Sequence, residues 1–185
     1  MKKNIITSIF ISTLLLITFS IKAQIIQSGT AQLSIKISDV MSIDPSSSIH
    51  SESVLFQYKN EGDYNTNQTI VRESYLIITA TQTFDVKVKA DGPNFIGEGS
   101  AAGSLIPVNV LTVDASGNTN LSGATISVIN LSTENQNIIT AADRGSEKHV
   151  TVKYIIPQAK SQSTDILGKP GGNYMQTLTY SVTAH

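Results

Sequence analysis

Gly172-Asn-Tyr-Met-Gln-Thr-Leu-Thr-Tyr-Ser-Val-Thr-Ala-His185 is the stretch that decides the fold. Tyr174, Leu178, Tyr180, Val182 and Ala184 share one parity, while Met175, Thr177, Thr179, Ser181, Thr183 and His185 share the other. In an extended chain successive side chains point to opposite faces, so a period of two gives an apolar, aromatic face and a hydroxyl-rich one. Thr, Val and Tyr favour strands, and Gly171-Gly172 supplies a turn ahead of them. The stretch predicts a strand that closes the core, with Leu178, Tyr180 and Val182 facing inward.

The same alternation recurs upstream. Ala31, Leu33, Ile35 and Ile37 oppose Gln32, Ser34, Lys36 and Ser38, which predicts a half-buried strand. Phe84, Val86, Val88 and Ala90 alternate with Asp85, Lys87 and Lys89, and Val150, Val152, Tyr154 and Ile156 alternate with Thr151 and Lys153. Further strands are expected over 54–58, 69–81, 106–113 and 124–131, with a short one at 138–139. Asp91-Gly-Pro-Asn94 and Asp114-Ala-Ser-Gly-Asn118 are turn chemistry, and 95–104 and 158–173 read as loops. About eight or nine short strands without an amphipathic helix predict an all-β class, a single immunoglobulin-like (Greek-key) sandwich.

Residues 1–23 stand apart from this pattern. Lys2-Lys3, an apolar run and the small Ala23 have the order of a secretory signal peptide, leaving 24–185 as the β-sandwich domain. Export to the periplasm, outer surface or cell exterior is therefore expected. Of the 185 residues, 13 are basic and 14 acidic; loss of Lys2, Lys3 and Lys22 leaves 10 basic residues and a net charge of −4. A weakly acidic chain without a basic cluster argues against nucleic acid and anionic membranes as partners. There is no Cys, hence no disulfide framework and no thiol chemistry.

Motifs that carry chemistry are sparse. Gly97, Gly99 and Gly103 lead into Leu105-Ile106-Pro107, not into the helix a phosphate-binding turn requires, so a loop is expected there. Asp114, Ser116, Asn118 and Asn120 alternate oxygen atoms as a calcium loop does, but Thr119 and Thr125 stand where such a loop needs Gly and Glu. His50, His149 and His185 have no ligand spacing, and no pattern singles out a nucleophilic Ser. The expectation is a protein that is not an enzyme and holds no metal or cofactor. Tyr64, between Asp63 and Asn65, is the one aromatic residue expected to be exposed.

Counted from His185, Gly172 is the fourteenth residue back and Val182, Tyr180 and Leu178 are the fourth, sixth and eighth. This ending resembles the C-terminal signature of chaperone–usher pilins, although Ala184 replaces a penultimate aromatic residue and no disulfide is possible. The layout also resembles short secreted β-sandwich proteins of gram-negative envelopes. The resemblance implies a fimbrial or adhesion subunit gripped by a periplasmic chaperone and completed by strand addition. Leu178, Tyr180 and Val182 would line the groove, and Ala31, Leu33, Ile35 and Ile37 would be the donated segment. A second class of function, binding of glycan or peptidoglycan by a monomer, would use the loops around Tyr64 and Phe95.

Overall fold

The computed structural model describes residues 32–185 and divides the chain between Ile37 and Ser38. Ala31 and the signal-peptide expectation for 1–23 lie outside the described residues. Residues 38–185 form an all-β sandwich. Its strands are β1 (Met41–Ile43), β2 (Gln68–Ala80), β3 (Phe84–Ala90), β4 (Asn94–Glu98), β5 (Leu105–Pro107) and β6 (Thr112–Asp114). They are followed by β7 (Thr125–Ile126), β8 (Val128–Asn130), β9 (Gln136–Ala142), β10 (Gly145–Ile156), β11 (Asn173–Met175) and β12 (Leu178–Ala184).

One sheet has the order β1-β2-β10-β6-β8, the second β12-β3-β9-β7, and a small third sheet β11-β4-β5. Every pairing is antiparallel. The inward parity of the long strands makes the core. Leu76 and Ile78 of β2, Phe84, Val86 and Val88 of β3, and Val150 and Val152 of β10 are all fully buried. Burying a side chain of this size contributes about 2 kcal/mol, which is why alternation over 84–90 and 150–156 fixes these strands.

The two faces are joined at a tyrosine cluster. Tyr75 of β2 meets Tyr154 of β10 and Tyr180 of β12 edge-on, with ring centroids 6.0 and 6.1 Å apart. The Tyr154 and Tyr180 hydroxyls lie 2.6 Å apart across the core. Burial, the largest influence on each, pushes the ionisation of both far above the usual phenol range.

Several expectations are corrected. Gln32–Ile37 pairs with no described strand, and Leu33, Ile35 and Ile37 are 89%, 83% and 84% exposed, so this is not the half-buried strand its alternation predicted. Residues 54–58 alternate half-buried and exposed side chains with a period of two but carry no ladder among the described residues. The 106–113 run is split by a 3-10 turn, Val108–Val110, and 124–131 divides into β7 and β8 in different sheets. The 95–104 loop contains most of β4, where Gly97 is required because a Cβ would sit 2.2 Å from the Ala101 carbonyl oxygen. Among the described residues there are two one-turn α-helices, α1 (Glu61–Tyr64) and α2 (Gln158–Ser161). Among the described residues no helix is long and apolar enough to cross a membrane.

Candidate functional site

The sandwich has one closed side and one open side. On the closed side, 125–130 passes from sheet to sheet: β7 pairs with β9, β8 pairs with β6, and the intervening Ser127 N–H donates to the Ile138 carbonyl at 2.9 Å. On the other side β1 lies against β12, but each belongs to a different sheet and the two share no ladder. β1 covers only the last three residues of β2 before the chain turns away at Asp44.

β12 is consequently an edge strand. Thr177 accepts from the Asp91 N–H and the His185 N–H donates to Thr83, which places the odd-numbered backbone groups of this strand toward β3. Antiparallel pairing alternates the direction of these groups, so Leu178, Tyr180, Val182 and Ala184 turn theirs outward. They find no backbone partner among the described residues. Their side chains do the opposite: Leu178, Tyr180 and Val182 pack on the core, as expected, while Ala184 is exposed. At the Ala184 end a shallow cavity of about 240 Å³ lies between Asp39, Val40, Met41, Thr81 and Gln82.

Gly172 precedes β11, not the closing strand. A Cβ there would come within 2.7 Å of the Ala101 Cβ, and the Ser100 hydroxyl donates to the Gly171 carbonyl at 2.5 Å. The predicted terminal strand is thus two strands, β11 on the small sheet and β12 on the main one, separated at Gln176 and Thr177.

The glycan residues differ from expectation in exposure. Tyr64 is half-buried at the end of α1 and packs against Tyr58, with centroids 4.7 Å apart at 37°. Asp63 caps this turn by accepting the Lys59 and Asn60 N–H groups at 2.6 and 3.0 Å, and those bonds hold its carboxyl below the usual carboxylate range. Phe95 lies in β4 with its side chain against the core.

The oxygen-rich loop after β6 is engaged structurally. Asp114 accepts from the Ser116 N–H at 2.7 Å and pairs with Lys153 at 3.2 Å. Asn118, only 5% exposed, accepts from the Thr151 N–H and donates to the Thr151 carbonyl, both at 2.7 Å. Asn120 donates to the His149 carbonyl at 2.9 Å. The two amides therefore extend the β6 side of β10 by side-chain rungs after the main chain has turned away. Among the described residues no group of His, Cys, Asp and Glu is placed to hold a metal ion.

Sequence reasoning also missed Asp85. It alternates with the apolar residues of β3, which predicts the outer face, yet it is buried: its Oδ1 accepts the Ala141 N–H at 2.9 Å and lies 2.9 Å from His185 Nδ1. Ala141 has φ +58° at a slip in register between β3 and β9, so the carboxylate satisfies a donor that the bulge leaves without a strand partner. The comparison of the chain with protein-family models and with curated proteins found no match.

Proposed function

We propose that the chain is a non-enzymatic exported envelope or surface protein, a pilin-like subunit or adhesion module that joins its neighbours by strand addition. One observation carries the reading: the outer edge of β12 has no backbone partner among the described residues, while 32–37 holds its alternating apolar residues in solvent. An unpaired edge is a template for another strand, and soluble proteins normally blunt such edges with charge, Pro or a bulge. β12 has none of these between Leu178 and Ala184. The incoming segment would be Ala31, Leu33, Ile35 and Ile37 of a second copy, entering by main-chain hydrogen bonds with alternate side chains set into the seam. The order β1-β2-β10-β6 facing β12-β3-β9 supports an immunoglobulin-like arrangement in which the place beside β12 is vacant.

Size-exclusion chromatography of the purified protein, before and after heating in detergent, tests this. The reading expects multimers that resist detergent and that vanish in the double variant Leu33→Asp, Ile35→Asp. A monomer at every concentration would contradict it.

A further inference from the structure

The stretch Ser53 to Lys59 is built like a strand but paired like a loop. Val54, Phe56 and Tyr58 turn inward and pack on the core, whereas Ser53, Leu55, Gln57 and Lys59 are exposed, and Leu55 is 61% so. Both ends are held. The Ser53 carbonyl accepts from Arg72 Nη2 at 2.6 Å, the Lys59 N–H donates to Asp63, and the Tyr58 hydroxyl lies 2.8 Å from Ser161 Oγ. Between those pins no backbone N–H or C=O from Val54 to Tyr58 is bonded to another described residue.

An extended segment with its side chains fixed and its backbone bare has already lost most of the conformational entropy that pairing costs. A partner strand would gain the rungs without ordering the receiver. Five residues at about 3.4 Å each give roughly 17 Å of edge, which the seven residues 31–37, roughly 24 Å when extended, span with a residue to spare at each end. We infer that Val54–Tyr58 is a second receiving edge, which hydrogen-bonds the segment 31–37 of another copy. The inference rests on the strand-addition reading and extends it from one acceptor to two. The occupant follows from exposure and pattern: Leu33, Ile35 and Ile37 form the most exposed run of large apolar residues among those described.

Hydrogen exchange read by mass spectrometry tests both edges in one experiment. The probe is a synthetic peptide of residues 30–38, with the same peptide carrying Leu33→Asp and Ile35→Asp as control. In the Leu33→Asp, Ile35→Asp protein, which should be monomeric with both edges free, the amides of 54–58 should exchange at nearly open-chain rates. The apolar peptide, and not its control, should slow them about 100-fold or more, together with the outward amides of 178–184. Protection of 178–184 alone would overturn the second edge and leave the proposed function standing. Protection of 54–58 alone would keep this inference and remove β12 as acceptor. Protection of neither would sink both, and slow exchange of 54–58 in this variant before any peptide is added would overturn the inference, because the edge would then be paired within the chain.

Discussion

The two sides of the sandwich solve one problem in opposite ways. Both have strand edges that need covering. The closed side covers them with the chain itself: 125–130 serves both sheets, and Asn118 and Asn120 add side-chain rungs beyond the end of β6. The open side stops short. β1 is three residues long, and among the described residues 54–58 contributes side chains without rungs and β12 has one strand neighbour. The difference teaches where stability and association should separate. Substitutions of core-facing residues and of the closed-side rungs should change unfolding, and those of exposed residues on the open side should change assembly.

The largest effect this comparison predicts is loss of assembly without loss of the folded monomer's stability. The Leu33→Asp, Ile35→Asp variant should abolish multimers while its thermal midpoint stays within about a degree of that of the monomeric fraction of the unmodified protein, since surface substitutions usually change stability by less than ~0.5 kcal/mol. A large drop in midpoint would mean that 32–37 belongs to the folded core. Next in size is Tyr180→Ala, which removes a ring from the core and its bond to Tyr154; urea unfolding should show a loss of about 3–5 kcal/mol. Tyr180→Phe should cost only about 1 kcal/mol, the worth of the hydroxyl pair.

On the closed side, Asn118→Ala leaves the N–H and carbonyl of Thr151 without partners. It should cost about 2–3 kcal/mol by the same assay and leave the multimer distribution of the folded protein unchanged. The smallest effect is one of pH. Below pH ~10 the tyrosines are neutral whether the chain is folded or unfolded, so their contribution is fully present. Above it the unfolded chain loses phenolic protons while buried Tyr154, its ionisation pushed upward, keeps its own, and stability falls by about 1.4 kcal/mol per pH unit for such a group. Unfolding midpoints between pH 9 and 11 should show this fall, and Tyr154→Phe should flatten it.

Much of the sandwich was legible because burial alternates with period two wherever a strand has one wet face. Phe84–Ala90 and Leu178–Ala184 are the cases in point. Periodicity reports which way side chains face, not what the backbone bonds to. That is why 54–58 has the predicted burial without the ladder, and why 31–37 has the predicted alternation with solvent on both faces of its described part. Buried polar residues were illegible for another reason. Asp85 and Asn118 sit at polar positions of an alternating or turn pattern, and only the slip beside Ala141 or the missing rung at Thr151 explains their burial. At β4, Gly97 looks like loop composition but is there because Ala101 presses on the strand. The edge of β12 was readable as a closing strand from its residues, but its lack of an outer neighbour depends on a strand order that no single segment encodes.

The absence of cysteine gives the most direct test of strand addition. Lys36→Cys, on the polar face of the incoming segment, can be combined in one chain with Thr179→Cys, Ser181→Cys or Thr183→Cys on the outer face of β12. Mild oxidation should then link copies into a ladder on a non-reducing gel, strongest for the one register that brings the two thiols opposite each other. If all three pairs give only monomers, or link equally without preference, the segment does not lie beside β12 and the account fails.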